Sequence, residues 1–238
     1  MADYDNQVLR GRGVSADQAI DQGLRTYMIS VYNYMMIGLG VTGLAAYFVA
    51  HTPALYGAIF GTPLIYVAIF APLALVFGLS FGINRISAST AQMLFWLYSA
   101  LVGVSLATIF LVYPIGDITR VFFITAASFG ALSLYGYTTK TNLSAFGSFL
   151  FIGLVGVFLA MVVNFFMQSS ALQFAISVVG VLVFAGLTAW DTQRIKGMYY
   201  GGDDSETTGK KAVMGALALY LDFLNMFLFL LRLMGNRN

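Results

Sequence analysis

The chain has 238 residues, of which 59% are hydrophobic and only 9% are charged, and its formal net charge is +2. Mean hydropathy is +0.83. Soluble domains carry about 25% charged residues, so this composition predicts a protein solvated by lipid, and no nucleic-acid partner is expected. The chain contains no cysteine, which excludes disulfides, thiolate metal sites and a cysteine nucleophile.

Residues 1–23 form the longest continuous polar stretch and carry four aspartates and two arginines. They lack the basic start, short apolar core and small-residue cleavage site of a signal peptide. We therefore expect a cytoplasmic N-terminal tail over residues 1–23, disordered in appearance. One transmembrane domain of seven helices is expected over residues 24–238.

Seven apolar segments have the length of about 20 residues that a membrane-spanning helix needs. They are too long and too continuously apolar for barrel strands, in which polar and apolar residues alternate. The sequence therefore predicts an all-α membrane protein built as a seven-helix bundle. In chain order the segments are Leu24–Ala50, Leu55–Phe81, Thr90–Val112, Ile118–Tyr137, Leu143–Phe166, Ala171–Lys196 and Ala212–Met234.

Proline and glycine mark features within the early segments. Pro53 disfavours continuation of the first helix, and Pro72 removes a backbone donor and should kink the second. The pairs Gly57/Gly61 and Gly78/Gly82 have the four-residue spacing that lets membrane helices approach closely. Glycine is also frequent in membrane helices for other reasons, and this explanation fits each pair equally well.

Only one long loop is predicted, at residues 197–209, between the sixth and seventh segments. Its glycines indicate flexibility, and its acidic residues Asp203, Asp204 and Glu206 are candidates for attracting a cation. They lack the spacing of an EF-hand loop, so a solvated linker is the favoured interpretation.

The distribution of lysine and arginine predicts the orientation. With the N-terminus in the cytoplasm, nine of these residues lie on the cytoplasmic side and three on the other, as the positive-inside rule requires. The C-terminus is then outside, provided that the last segment crosses; a last segment that turns back is the alternative. The nine are Arg10, Arg12, Arg25, Arg85, Lys140, Arg194, Lys196, Lys210 and Lys211, and the three are Arg120, Arg232 and Arg237.

Two of the ten carboxylates, Asp191 and Asp222, lie within hydrophobic segments, whereas the other eight lie where water can reach them. Ionised groups in a bilayer cost a few kcal/mol or more, so they usually face a protein interior or a wet cavity. The sixth and seventh segments are antiparallel, and each aspartate lies about nine residues, or about 13 Å, from the turn. The two carboxylates are therefore expected to face each other at one depth.

Two carboxylates that share a poorly solvated site cannot both ionise cheaply, so they titrate as a unit and can hold one proton between them. A rise in pH would then add a second negative charge and push the two helices apart. The aspartate pair is thus predicted to be a proton-dependent latch.

Polar neighbours extend the candidate site. Thr188 and Thr192 share a helix face with Asp191 by their spacing, and Asn225 lies one turn beyond Asp222. Carboxylate, hydroxyl and amide oxygens suit Ca²⁺, although they equally serve protons or Na⁺. The two aspartates are the predicted metal ligands, and the two threonines with the asparagine are the predicted ion path.

A basic residue completes the candidate site. Arg85 lies on the same predicted side of the membrane and is a possible latch for the aspartate pair. Simpler interpretations exist for each group: Asp191 pairs with Arg194 three residues on, Asp222 is an interhelical hydrogen-bonding group, and Arg85 is an orientation charge.

The stretches Ala189-Trp-Asp-Thr-Gln-Arg-Ile-Lys196 and Ala216-Leu-Ala-Leu-Tyr-Leu-Asp-Phe-Leu-Asn-Met-Phe-Leu-Phe-Leu-Leu-Arg-Leu233 resemble the transmembrane Bax-inhibitor-motif family. The resemblance implies a bacterial inner-membrane protein, seven helices with the last surrounded by the others, and a pH-sensitive Ca²⁺ leak. It places the family's paired aspartates at Asp191 and Asp222 and its gating arginine at Arg85. This loop has one arginine where relatives can have a basic cluster.

The expected function is therefore a pH-sensitive Ca²⁺ leak channel that is not an enzyme and has no cofactor, with Ca²⁺, protons and the bilayer as partners. Some family members also resemble regulators of a membrane AAA protease or of cell death, so a non-conducting modulator is the alternative. An intramembrane aspartyl protease is a weaker hypothesis. Such proteases carry a Pro-Ala-Leu tripeptide, but here Pro53-Ala54-Leu55 lies in the first loop. In addition, Leu-Tyr-Leu precedes Asp222 where these proteases have a Gly-x-Gly-Asp pattern.

Overall fold

The structure is a computed structural model that describes the backbone of residues 2–236 and the side chains of residues 20–236. Throughout this described part the regular elements are helices, without any strand. A 3₁₀ turn at Ile83–Arg85 follows the third helix. The helices are α1 (Ala2–Ala50), α2 (Pro53–Phe60), α3 (Leu64–Gly82), α4 (Ala88–Ser105), α5 (Ile109–Val112), α6 (Ile115–Thr138), α7 (Ser144–Met167), α8 (Ser170–Met198) and α9 (Ser205–Met234).

Seven helical stretches among the described residues are long and apolar enough to cross a membrane. The second combines α3 with the 3₁₀ turn, and the third combines α4 with α5. Large apolar side chains such as Phe81, 82% exposed, and Phe166, 78% exposed, point away from the protein. The predicted all-α membrane bundle is confirmed.

The second predicted segment is not one helix. The chain leaves the helical conformation at residues 61–63, so α2 has only eight residues and the span begins at Leu64. Pro63 precedes α3 as its N-cap. Proline disfavours helix in the residue before it and lacks a backbone donor, which explains the interruption.

The predicted loop at 197–209 is also wrong, because α8 continues to Met198 and α9 already begins at Ser205. Asp204 starts α9 by accepting a hydrogen bond from the Thr207 backbone N–H at 2.8 Å. Hydrogen bonding from Thr207 holds the pKa of Asp204 below its ordinary value. Asp203 forms an ion pair with Lys211. The acidic residues therefore stabilise the start of a helix and do not form a flexible acidic linker.

The first helix begins at Ala2 instead of Leu24. Residues predicted to form a separate, disordered tail thus continue the helix of the first span. No proline precedes Pro53, so nothing interrupts a helix that is nucleated within the span. Met1, Arg237 and Asn238 lie outside the described residues, and the cytoplasmic location of residues 1–23 stays a prediction.

The last helix is the most buried of the seven spans. About 67% of its most apolar window is buried, against 11–39% in the other spans, and α9 packs against α1, α4, α6 and α8. The Tyr220 hydroxyl bonds to Thr42 of α1 at 2.6 Å, and its ring meets Phe95 and Tyr98 of α4 edge-on at 5.7 Å. The central position that the family resemblance implies for this helix stays a prediction.

The predicted glycine pairs of α2 and α3 do not mediate helix packing. A Cβ added at Gly57, Gly78 or Gly82 would meet open space. Close approach occurs instead between α6 and α8, where Gly136 lies against the backbone of Ala189. A glycine is required there because a backbone cannot rotate away from an added carbon.

The last helix crosses the whole bundle. Lys196, near the end of α8, donates a hydrogen bond to the carbonyl of Tyr137 at the C-terminal end of α6. Asn236, beyond the end of α9, donates its backbone N–H to Asp117 at the N-terminal end of α6 at 2.8 Å. Since α9 begins near the end of α8 and finishes at the other end of α6, the alternative in which the last segment turns back is wrong.

Candidate functional site

The two membrane-embedded aspartates meet at the contact between α8 and α9, the most extensive helix pair in the bundle. Asp191 is 7% exposed and Asp222 is 4% exposed. Their carboxyl groups lie within hydrogen-bonding reach of each other. The sequence predicted this juxtaposition from helix ends that differ from the observed ones, and the sensing role of the pair stays a prediction.

Arg194 is the cation beside the pair. Its Nη1 donates to Asp191 Oδ1 at 3.1 Å, one turn further along α8. The guanidinium also lies 5.2 Å from the ring centroid of Trp190, which holds it over an aromatic face. Asp191 therefore forms the ion pair of the simpler interpretation and also faces the carboxyl group of Asp222.

Asp222 has an unusual environment for a carboxylate. Its Oδ2 atom is buried and has no hydrogen-bond partner. Leaving a buried polar atom unpaired costs about 1–3 kcal/mol. Two ionised carboxylates only accept hydrogen bonds, whereas a single proton lets one carboxyl donate to the other. The arrangement is thus chemically suited to hold one proton between the two side chains.

A cavity of about 440 Å³ lies against the pair and is formed by α7, α8 and α9. Asp191, Arg194, Asp222 and Asn225 line it, together with Trp190 and apolar side chains. The Asn225 amide donates to the carbonyl of Leu221 at 2.8 Å. Asn225 thus lines the cavity, and its place in an ion path stays a prediction.

The two predicted threonines are not on this cavity. Thr188 donates to the Phe184 carbonyl at 2.8 Å, and Thr192 donates to the Thr188 carbonyl at 2.7 Å. The Thr192 hydroxyl also lies 3.0 Å from that of Ser133 on α6, which bonds to the Tyr32 hydroxyl on α1. Thr188 and Thr192 therefore do not line this cavity, and their place in an ion path stays a prediction. The hydroxyl chain through Ser133 and Tyr32 was missed, because sequence spacing says nothing about partners on other helices.

The structure does not bring Arg85 to the aspartates. It ends the 3₁₀ turn after α3, is exposed, and forms no ion pair or side-chain hydrogen bond with any residue from 20 to 236. Arg194 occupies the position predicted for Arg85. The three-residue spacing from Asp191 was the signal for this pairing, since residues three apart on a helix are neighbours.

No group of three or more histidine, cysteine or acidic side chains that could hold a metal ion is present among the described residues. Asp191 and Asp222, the predicted metal ligands, therefore have no third histidine, cysteine or acidic side chain beside them among the described residues. The tripeptide that would belong to an aspartyl protease begins α2 at Pro53, beyond the far end of α1. The tripeptide therefore lies at one end of the bundle. Tyr199, which follows α8, lies at the opposite end, where its ring packs on that of Tyr27 near the start of the first span with 5.6 Å between the ring centroids.

Comparison with known proteins agrees with this architecture. The family model described as "Inhibitor of apoptosis-promoting Bax1" matches residues 24–238, which include both aspartates. The chain is 48% identical over 218 residues to "Inner membrane protein YbhL" of Escherichia coli K12, covering 90% of this chain and 93% of the relative. It is 46% identical over 223 residues to protein RP147 of Rickettsia prowazekii, covering 94% of each. A protein of Caulobacter vibrioides is 43% identical over 230 residues, covering 92% of each.

Proposed function

Because the chain belongs to the Bax1-I family of membrane proteins, we propose that it is a pH-sensitive cation leak, with Ca²⁺ as the transported ion. The observation that carries the proposal is the facing of Asp191 and Asp222 beside a cavity of about 440 Å³ between α7, α8 and α9. Carboxylates within membrane-spanning helices are rare and mark ion pathways or proton relays.

The proton on the pair is the proposed trigger. While one proton is shared, the two carboxyls attract each other across the contact between α8 and α9. Once it is lost, two negative charges face each other, and charges about 4 Å apart repel by about 4 kcal/mol at an effective dielectric constant of about 20. Arg194 offsets part of this repulsion through Asp191. A rise in pH therefore favours separation of α8 from α9 and opening of the contact between them.

The oxygen atoms of the site suit a passing ion. Ca²⁺ takes six to eight oxygens, and Asp191, Asp222 and Asn225 offer five side-chain oxygens, so water must supply the rest. Sites that hold an ion incompletely let it leave again, which conduction requires. Na⁺ is the competing ion, and flux measured with each cation alone distinguishes the two.

An inner-membrane location with a cytoplasmic N-terminus is part of the proposal. The relative YbhL is named an inner membrane protein, and the excess of lysine and arginine on the predicted cytoplasmic side favours this orientation.

The absence of cysteine allows the orientation to be tested by single-cysteine labelling without background. A Thr62→Cys variant is expected to react with an impermeant maleimide in intact spheroplasts, and Gly201→Cys only after permeabilisation; the reverse result would invert the orientation.

Flux in liposomes tests the leak. The protein is reconstituted around a trapped Ca²⁺ dye, and flux is measured over a range of pH. Asp191→Asn and Asp222→Asn are expected to abolish the pH dependence, because the one remaining carboxylate has no second carboxylate to repel it. Asp21→Asn is the matched control, since Asp21 is exposed. An unchanged pH profile in both site variants, at equal protein content and thermal stability, would refute the mechanism.

A pair of arginine variants tests which cation acts on the aspartates. Arg194→Gln removes the ion pair to Asp191 and is expected to move the pH midpoint of flux, whereas Arg85→Gln is expected to leave it in place. A shifted midpoint only in Arg85→Gln would return the latch role to the arginine that the family resemblance implied.

The alternative function is a non-conducting modulator of a membrane AAA protease or of cell death. It is favoured by one observation: α1 begins at Ala2, 22 residues before the apolar segment predicted to span the membrane begins at Leu24. A helix that extends beyond the membrane can present a surface to a partner. Deleting residues 2–19 is expected to abolish capture of the protease while leaving flux intact; capture by the deleted form would discard this version.

The protein is proposed to have no enzymatic activity. Cleavage of a single-span test substrate that depended on both Asp191 and Asp222 would replace the leak by an intramembrane protease.

A further inference from the structure

A long groove lies between α1 and α6 on the outside of the bundle. The two helices are joined by the hydrogen bond between Tyr32 and Ser133 but do not pack along their lengths. The opening between them has a volume of about 770 Å³, and Phe223 of α9 lies at its floor. A Cβ added at Gly130 of α6 would meet open space, so the groove is open at its middle.

The groove has the length of one membrane leaflet. Along α1 its lining runs from Arg25 to Leu39, which is about 21 Å at 1.5 Å per residue. Half of a bilayer including its headgroups is also about 20–22 Å thick. Leu39 and Phe122 form the deep end, where a smaller cavity of about 100 Å³ continues the opening. Arg25 and Tyr137 lie at the surface end.

Charge is confined to the surface end of the groove. Arg25 is exposed there and takes part in no ion pair with the residues whose side chains are described. Lys196 lies 4.7 Å from the ring centroid of Tyr137 and donates to the carbonyl of the same residue. Arg25 therefore lines this end and Lys196 contacts Tyr137 beside it, whereas the rest of the lining is methionine, aromatic and aliphatic apart from the hydroxyls of Tyr32, Ser133 and Tyr137.

We propose that this groove binds one anionic phospholipid from the leaflet on the N-terminal side. An acyl chain lies along the groove toward Leu39 and Phe122, and the phosphate lies at Arg25 and Lys196. The occupant is a lipid because the groove matches the depth of a leaflet and is basic only where the headgroups of that leaflet lie. The proposal does not depend on the leak function, since the lipid contacts neither Asp191 nor Asp222.

Lipid retention during purification tests the proposal. The full-length protein is reconstituted in equal amounts of phosphatidylglycerol and phosphatidylcholine, extracted into mild detergent, washed and examined by native mass spectrometry and lipid extraction. Wild type is expected to keep one phosphatidylglycerol per chain in preference to phosphatidylcholine. Gly130→Phe fills the groove and is expected to lose both lipids. Arg25→Gln is expected to reduce the ratio of bound phosphatidylglycerol to bound phosphatidylcholine about fivefold, which is the effect of one interfacial cation on an anionic lipid.

Gly156→Phe is the matched control, because Gly156 also faces open space, on α7, away from the groove. It is expected to retain lipid as wild type does. Retention of phosphatidylglycerol by Gly130→Phe at the wild-type level, or an unchanged headgroup preference in Arg25→Gln, would overturn the proposal. If Gly130→Phe instead dissociated an oligomer without changing the lipid content, a helix of another copy would occupy the groove, and the proposal would equally fail.

Discussion

The close approach of α6 and α8 at Gly136 predicts a large difference between two glycine substitutions on the same helix. A Cβ at Gly136 would lie within 2.9 Å of the carbonyl carbon and Cα of Ala189, and nearer still to its carbonyl oxygen. These are backbone atoms, so α8 must shift to make room. Overpacking of this kind costs about 1–3 kcal/mol. Because Ala189 lies two residues before Asp191, the shift also disturbs the aspartate pair.

Gly130→Ala supplies the comparison, since the same change on the same helix meets open space. Both variants gain the same helix propensity of about 1 kcal/mol, which cancels in their difference. At roughly 2–4 °C per kcal/mol for a chain of this size, Gly136→Ala is expected to unfold about 2–12 °C below Gly130→Ala in one detergent. Thermal unfolding followed by far-ultraviolet circular dichroism measures this, and equal midpoints would refute the tight contact between α6 and α8.

Two further substitutions test the anchoring of α9. Asp204→Ala removes the helix cap, and since the pKa of Asp204 is lowered by Thr207, the cap stabilises the fold above pH 3.8 and is lost as the pH falls further. The unfolding temperature of Asp204→Ala is expected to lie below that of wild type at pH 7 and to equal it in strong acid. The control Asp21→Ala is expected to unfold at the wild-type temperature throughout. A lower unfolding temperature of Asp204→Ala that persisted in strong acid would contradict the charge-based cap. Tyr220→Phe deletes the hydrogen bond to α1 and is expected to cost about 0.5–1.5 kcal/mol. Tyr135→Phe, at an exposed tyrosine, is expected to cost nothing, and equal unfolding midpoints for the two variants would exclude the bond from the stability of the fold.

The number of spans followed from the sequence alone. A backbone in lipid must satisfy its own hydrogen bonds, so a sufficiently long apolar run has little choice except to form a helix. The facing of Asp191 and Asp222 was also predicted, but from helix ends that the structure moves: Asp191 lies seven residues before the end of α8 and Asp222 lies 17 residues after the start of α9, instead of about nine each. Counting residues supplies the depth of a side chain only when the ends of its helix are known.

Local capping and interruption were within reach of the sequence but were misjudged. Asp204 followed by Thr207 is the spacing of an N-cap, and it moved the start of α9 by seven residues from the predicted Ala212 to Ser205. Pro63 likewise divided the second segment. In both places hydropathy was given more weight than the short-range chemistry of one residue.

Rotation of each helix about its axis was decided only by the tertiary structure. An error of one residue turns a side chain by about 100°, so the sequence could not tell that Thr192 faces Ser133 of α6 while Asp191 faces Asp222. It could not choose Arg194 over Arg85 either, because Arg194 is held by a contact within α8 while the place of Arg85 depends on how α3 packs. The groove between α1 and α6 exists only because those two helices do not close over α9. Apolar length and depth are properties of single segments, whereas the facing of side chains and the gaps between helices belong to the packed bundle.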